Sequence, residues 1–224
     1  MKYNFPHEIK LIEKCEFLIN TTATTTTHGY RIVRPRSIDP TELKIVFQFS
    51  DRPLRITMIL ECLFVTFLDV YLQLKHYRFS ISWSRIFKDG TNTSYNPHGM
   101  QYYHNLVDEL IANDIIPMVT LYHWDLPQYI QNQGGWINEY TIEYFVEYAR
   151  KCFSELGPKV KWWITHNEPY ETCWSAYGLG EDAPGFKDHP GTYPYLCAHN
   201  IIRSHAAVWH MYDKEFRATQ NGEL

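Results

Sequence analysis

The chain has 224 residues, of which 45% are hydrophobic, so it is long enough for one large domain or two small ones with a substantial core. Its formal net charge of −4 at pH 7 argues against nucleic acid as a partner, because nucleic-acid-binding proteins carry a clustered basic face. Aromatic residues make up 16% of the chain, which fits either a sugar-binding cleft or a large aromatic core.

The sequence predicts no membrane span, no signal peptide and no disulfide framework. The best apolar run, residues 62–68, is stopped by Asp69 and is too short to cross a bilayer. Charged residues such as Lys10 and Glu13 interrupt the apolar stretch that a signal peptide needs. The five cysteines are odd in number and widely spaced, so we expect neither a disulfide scaffold nor a structural zinc site. Two triplets match the N-glycosylation pattern, which also arises often by chance: Asn20-Thr21-Thr22 and Asn92-Thr93-Ser94.

Residues 1–75 are predicted to be a leader that carries no recognisable functional motif. A Thr-rich tract at residues 21–27 is of low complexity, and mixed charges and prolines follow it. Two short apolar runs, at residues 45–49 and 59–67, fit either strands or a buried helix, because their length does not separate the two.

Residues 76–224 alternate predicted strands and helices. The strand segments are rich in aromatic and β-branched residues, and the apolar positions of the helical segments recur at helical spacing. Strands are predicted at residues 76–83, 115–124 and 160–166, and helices at 97–113, 138–156 and about 195–216. This order predicts a parallel α/β sheet whose near-continuous apolar strands are covered on both faces.

Polar and aromatic side chains gather where each predicted strand ends. They are Trp83, Ser84 and Arg85 after the first strand, His123, Trp124 and Asp125 after the second, and Asn167 and Glu168 after the third. Because ligands of α/β sheets and barrels bind at the carboxyl ends of the strands, we expect these residues to form one site.

Glu168 is the candidate catalytic residue of this site. Hydrolysis of a glycosidic bond uses two carboxyl groups, one to protonate the leaving oxygen and one to attack the sugar or to activate water. The following Pro169 biases Glu168 toward an extended backbone, so Asn167 and Glu168 would point to opposite sides unless the chain bends there. The alternative is that Glu168 is a solvated glutamate at the start of a loop, with no part in chemistry.

Residues 76–224 resemble glycoside hydrolase family 1, the β-glucosidase family. The matching segments occur in family order: HYRFSISWSRI (76–86), TLYHWDLPQ (120–128), GGW (134–136), WWITHNEP (162–169), APG (183–185) and the HN…R-HA pattern of 199–206. The resemblance implies an α/β fold, a partial (β/α)8 TIM barrel holding roughly strands two to four of eight. It also implies retaining hydrolysis of β-glycosides, with no cofactor and no metal.

The resemblance gives roles to five residues. Glu168 matches the acid/base, and Asn167 matches the residue that hydrogen-bonds the sugar 2-hydroxyl. His123 matches a residue that binds the 3-hydroxyl, and Trp124 lines the same subsite. Arg78 matches the arginine that lies against the nucleophilic carboxylate and helps to keep it ionised. The implied substrate is a small-molecule β-glycoside or oligosaccharide. Glu168 favours an oxygen-linked substrate, because plant thioglucosidases usually carry Gln at the acid position, but it does not exclude sulfur-linked substrates.

Alternatives remain open beside these roles. His123 could be a core histidine and Arg78 an ordinary ion-pair residue, while Trp83 and Trp136 are predicted to pack rather than to contact substrate. His166 stands where the family most often has Phe, and it would either tune the pKa of the acid or pack.

The family's nucleophile is a glutamate in a Thr-Glu-Asn-Gly-like segment, which residues 1–224 do not contain. The alternative to a glycosidase is therefore an inactive fragment or remnant that at most binds carbohydrate.

Overall fold

The computed structural model describes residues 74–224, which form a three-stranded parallel sheet with helices between the strands. β1 (His76–Ser80), β2 (Ile116–Tyr122) and β3 (Trp162–His166) lie in the order β1-β2-β3, so sheet order follows chain order. The predicted parallel α/β arrangement is confirmed for this part of the chain. The Thr-rich tract and the two apolar runs of the predicted leader lie outside the described residues.

Helices follow each strand. They are α1 (Trp83–Ile86), α2 (Pro97–Ala112), α3 (Gln128–Asn132), α4 (Tyr140–Leu156), α5 (Pro169–Trp174), α6 (Tyr193–Glu215) and α7 (Arg217–Gln220). Short 3₁₀ turns cover Asn92–Ser94 and Gly135–Ile137, and one π-helical turn covers Ser175–Leu179. The three long helices α2, α4 and α6 confirm the three predicted helices, with ends that differ by two residues or fewer.

The first strand is shorter than its sequence pattern predicts. The pattern runs to residue 83, but β1 ends at Ser80 and Trp83 begins α1. The backbone N–H of Trp83 donates to Asp125 Oδ2 at 3.3 Å, and its indole N–H donates to the Gly90 carbonyl at 3.0 Å. These bonds turn the chain out of the sheet and bury the Trp83 ring completely, as predicted for a packing residue.

The two faces of the sheet are buried to different degrees. Alternate side chains face the helices and are buried, so the Phe79 ring lies 6.3 Å from Tyr103 of α2, and the Trp163 ring lies 4.8 Å from Phe153 of α4. The opposite face carries Arg78, Met118 and Ile164, which are only partly buried. Thr120 on this same face is fully buried, so the described residues cover the face unevenly, and coverage of both faces stays a prediction.

Tyr148 of α4 joins the helix layer to the ends of two strands. Its hydroxyl lies 3.1 Å from the Ile81 carbonyl and 2.9 Å from the Leu121 carbonyl, and the residue is fully buried. Its one proton is shared between the carbonyl of Ile81, just past β1, and that of Leu121, near the end of β2, so the bond satisfies buried acceptors. The strand ends that precede the predicted site are thereby fixed to each other.

A disulfide joins α5 to α6, which the sequence did not predict. Cys173 and Cys197 are bonded with a Cα–Cα distance of 5.5 Å. The spacing of the cysteines does not predict this pair, because the two residues meet only when α6 folds back along α5.

Cys152 is a free cysteine. Burial raises the pKa of the Cys152 thiol, so this residue stays protonated and unreactive.

Reduction of the disulfide is expected to lower the free energy of unfolding by about 3 kcal/mol, because the bond closes a 24-residue loop in the unfolded chain. Denaturant unfolding with and without a thiol reductant measures the change. The double variant Cys173→Ala/Cys197→Ala should have the free energy of unfolding of the reduced protein, and the reductant should not change it. If the reductant also leaves the free energy of unfolding of the oxidised wild type unchanged, the prediction is contradicted.

Candidate active site

Asn167 leaves β3 at the carboxyl edge of the sheet, and its side-chain amide connects three other predicted site residues. Arg78 Nη2 donates to Asn167 Oδ1 at 2.6 Å. The Asn167 amide nitrogen lies 3.0 Å from Glu168 Oε2 and 3.0 Å from His123 Nε2. The structure therefore brings Arg78 from within β1 and the residues that follow β2 and β3 into one hydrogen-bonded network.

The orientation of the Asn167 amide follows from its partners. The Arg78 guanidinium has only donors, so the amide oxygen must face it. Since the oxygen faces Arg78, the amide nitrogen faces Glu168 and donates to Oε2. The second N–H of the same amide then points at His123 Nε2, which must accept.

Glu168 adopts a left-handed backbone, with φ 45° and ψ 67°, directly before α5. The expectation that Pro169 keeps Glu168 extended is therefore wrong. The backbone N–H of Thr172 donates to the Glu168 carbonyl at 3.0 Å, and the Thr172 hydroxyl donates to it at 3.1 Å, so the first turn of α5 holds the bend in place. The bend gives Asn167 and Glu168 the common side that one sugar would require, while the Glu168 side chain stays exposed.

His123 is half-buried beside this network and is held neutral. Burial lowers the pKa of His123, the positive charge of Arg78 lowers it further, and the negative charge of Glu168 opposes both. A neutral ring leaves Nε2 free to accept the Asn167 N–H. The structural alternative of a fully enclosed core histidine does not fit this partial exposure.

Trp124 supports the network from the second strand end. Its indole N–H donates to the Asn167 carbonyl at 3.1 Å, and its backbone has φ 72°. A bulky residue in the left-handed region is strained, and such strain collects at sites where the surroundings enforce it. Because its N–H is committed to Asn167, Trp124 can offer a sugar only its ring.

Arg78 reaches the network from β1. Its Nε donates to Thr120 Oγ1 at 2.9 Å, and its second bond goes to Asn167. Within residues 74–224 this guanidinium forms no ion pair, which argues against the alternative of an ordinary ion-pair residue. A partly buried arginine without a counter-charge is suited to receive a carboxylate.

His166 packs and does not approach the acid. Its ring lies 4.5 Å from Phe145 and 5.1 Å from Trp136, while Nε2 donates to Ser204 Oγ at 2.8 Å. Burial lowers the pKa of His166 to about 3, and the nearby His205 adds to the effect. The side chain therefore occupies an aromatic pocket under the helices as a neutral ring. Trp136 is itself fully buried, as predicted.

Several supporting residues were not identified from sequence. Thr120 and Thr172 fix Arg78 and the Glu168 bend, but cross-strand register and helix entry decide these contacts, and neither is visible as a motif. Tyr170 and Trp174 of α5 form an exposed stacked pair, with ring centroids 6.3 Å apart. Their spacing of four residues, one helical turn, was the available signal.

Asp125 connects the exits of β1 and β2. Its Oδ2 accepts the Trp83 backbone N–H. Oδ1 is buried and has no hydrogen-bond partner within residues 74–224, although the residue as a whole is only half-buried. Burial is the largest influence on this carboxyl and raises the pKa of Asp125 to about 6.

Parallel βα units that present a glutamate, an asparagine and a histidine at the carboxyl end of the sheet are the arrangement expected of a glycoside hydrolase of the barrel class. The sequence profile of Glycosyl hydrolase family 1 matches residues 67–224. The chain belongs to this family.

Curated relatives agree with the family assignment. Human lactase/phlorizin hydrolase is 52% identical over 153 residues, which cover 68% of this chain and 8% of that protein. The cytosolic β-glucosidase of Cavia porcellus is 51% identical over 151 residues, covering 67% of this chain and 32% of the relative. The chain thus spans about a third of the cytosolic enzyme's length.

Solved structures of the family superpose on the described fold. An aphid myrosinase matches with a TM-score of 0.72 and 46% identity, covering 75% of this chain and 36% of that one. A rice β-glucosidase matches with a TM-score of 0.66 and 38% identity, covering 75% of this chain and 35% of that one. The described residues therefore correspond to one part of the (β/α)8 barrel found in these enzymes.

No helix within residues 74–224 is both long and apolar enough to cross a membrane. In the same part of the chain, no group of three or more His, Cys, Asp or Glu side chains is placed to hold a metal ion.

Asp125 is expected to make the folded protein less stable as pH rises from about 4 to about 6. Its pKa is higher folded than unfolded, so the folded state binds the proton more tightly and loses this advantage as pH rises. The total is about 3 kcal/mol at most. Denaturant unfolding across this pH range should show the slope in the wild type and not in Asp125→Asn. An unchanged slope in the variant would contradict the assignment.

His166 is expected to act in the opposite direction. Its pKa is lower folded than unfolded, so the folded state loses stability as pH falls from about 6.5 toward 3. His166→Phe should remove this acid sensitivity, because the ring pocket is aromatic and Ser204 keeps its bond to the Ile201 carbonyl. The exposed neighbour His205 supplies the control, since His205→Gln should largely retain the wild-type pH profile. Equal effects of both variants would refute the prediction.

Proposed function

We propose that this chain supplies the acid/base half of a retaining β-glycosidase that acts on small oxygen-linked β-glycosides or oligosaccharides. The observation that carries the proposal is the Asn167 network, which holds Glu168 exposed at the strand ends and beside a neutral His123. Family membership supports a carbohydrate substrate.

The network suggests how the first step runs. The protonated Glu168 gives its proton to the glycosidic oxygen while a carboxylate attacks the anomeric carbon, so the C–O bond breaks and a glycosyl-enzyme forms. Asn167 binds the 2-hydroxyl and His123 binds the 3-hydroxyl, whereas the Trp124 ring lines the same subsite. These donors and acceptors orient the sugar relative to Glu168, which is the main requirement for proton transfer in the transition state.

In the second step Glu168 acts as a base. Glu168 is ionised after the first transfer, so it takes a proton from water as the water oxygen attacks the anomeric carbon. The carboxylate leaves, the sugar is released with its original configuration, and Glu168 is protonated again. A rice β-glucosidase mutant has been solved in a covalent complex with Glc, which supports a covalent route for a relative with 38% identity.

The position of Arg78 indicates where the second carboxylate of the mechanism would lie. Its guanidinium forms no ion pair within residues 74–224, and Glu168 is the one carboxylate that these residues bring into the Asn167 network. A carboxylate against Arg78 would satisfy the guanidinium and would stay ionised, as a nucleophile must.

The lack of a nucleophile segment in residues 1–224 favours a second candidate function, which is carbohydrate binding without catalysis. Residues 1–224 contain no Thr-Glu-Asn-Gly-like segment, so without a further carboxylate the site would bind a sugar and not cleave it. His123, Trp124 and Asn167 would then serve recognition alone.

The proposal is tested on the protein encoded by the natural transcript and on residues 1–224. Glu168→Gln should lower kcat/KM for an alkyl β-glucoside by about 10²–10⁴-fold, because general acid catalysis is lost. A dinitrophenyl β-glucoside should lose far less in the first step, since its leaving group departs without a proton. Steady-state and burst kinetics on the two substrates measure the difference.

Glu171→Gln is the matched control, because Glu171 lies three residues further on and its carboxylate accepts a hydrogen bond from Ser175 Oγ at 3.2 Å, outside the Asn167 network. It should leave both rates unchanged. Equal losses on both substrates in Glu168→Gln would exclude the acid role. Glucose binding that needs His123 and Asn167, without turnover of either substrate, would establish the second candidate.

A further inference from the structure

The loop between α1 and α2 contains an Asn-X-Ser triplet whose asparagine is accessible. Asn92 begins the 3₁₀ turn Asn92–Ser94, and both Asn92 and Thr93 are exposed. The residue between Asn92 and Ser94 is not proline, as the triplet requires. None of the hydrogen bonds found within residues 74–224 uses the Asn92 side chain, so a group attached to its amide would break no contact of the fold.

The rest of the loop is held by Ser94 rather than by Asn92. The Ser94 hydroxyl donates to Asp89 Oδ1 at 2.5 Å, and the Thr91 hydroxyl donates to the same oxygen at 2.7 Å. These bonds lower the pKa of Asp89 and keep it ionised. The turn therefore has a fixed polar inner side, and Asn92 stands on its solvent side.

A second observation comes from a different part of the fold. The disulfide between Cys173 and Cys197 joins two helices and needs an oxidising compartment to form and persist. In eukaryotic cells the oxidising compartment that newly made chains enter is also the one in which Asn-X-Ser/Thr triplets are glycosylated. The disulfide thus indicates, independently of the triplet, the compartment in which Asn92 would be glycosylated, although no signal peptide is predicted from the sequence.

We propose that Asn92 is an N-glycosylation site. The Asn92 Nδ2 forms a bond to the anomeric carbon of a lipid-linked oligosaccharide. The bond from that carbon to the lipid diphosphate breaks, the diphosphate leaves, and Nδ2 loses one proton to a base. The acceptor amide, the oligosaccharide donor and the host transferase are all that this step needs.

The test uses the natural transcript expressed in eukaryotic cells without an added signal sequence. Chymotrypsin should release the peptide of residues 88–95, which contains Asn92 and not the other triplet at Asn20. Treatment with a peptide N-glycosidase in heavy-oxygen water should convert Asn92 to a labelled aspartate, which mass spectrometry detects. Unmodified Asn92 in the expressed protein overturns the proposal.

Variants separate the site from its surroundings. Asn92→Gln should lower the apparent mass on an electrophoretic gel by that of one glycan. Ser94→Ala should lower it by the same amount, although Asn92 is still present. Ser94→Thr retains the triplet and the hydroxyl, so it should keep the glycan. A glycan that survives Asn92→Gln belongs to another residue. Retention of the glycan in Ser94→Ala would contradict recognition of this triplet.

Discussion

The candidate site depends on one side-chain amide. Asn167 has an oxygen that accepts from Arg78 and a nitrogen that donates to Glu168 and His123, so a single planar group sets the relative positions of a cation, an acid and a neutral ring. Aspartate at this position would repel Glu168 and leave His123 Nε2 without a donor. Leucine would lose all three bonds. The amide is the side chain of this size that offers an acceptor and two donors at once.

This arrangement requires a backbone that local preferences disfavour. Glu168 and Trp124 both have positive φ, and each such residue costs of the order of 1–3 kcal/mol. The cost is offset by bonds on either side of the bends: Thr172 holds the Glu168 carbonyl, and the Trp124 indole holds the Asn167 carbonyl. Behind them, Tyr148 ties the ends of β1 and β2 to α4. The helix layer therefore stabilises the strained loops that form the site.

Sequence patterns predicted the features that depend on the order of neighbouring residues. They missed the contacts between residues that lie far apart in the sequence. Periodicity located α2, α4 and α6, because burying one side of a helix imposes a repeat on the sequence. The segment around Asn167 and Glu168 identified the site through its resemblance to a family. The Cys173–Cys197 bond and the contact of Arg78 with Thr120 join residues 24 and 42 positions apart, so no local pattern reports them. At Glu168 the preference imposed by Pro169 pointed the wrong way, because packing around Thr172 overrides it.

The charges of the network indicate what a complete site must add. A guanidinium has five N–H donors, and Arg78 spends two of them on the neutral oxygens of Thr120 and Asn167. Removing a cation from water costs free energy. Neutral hydrogen-bond partners offset this cost less than a carboxylate does. The face that carries Arg78 is also the incompletely covered face of the sheet. A carboxylate reaching this face would pair with Arg78 and would lie on the same side of the sheet as Glu168.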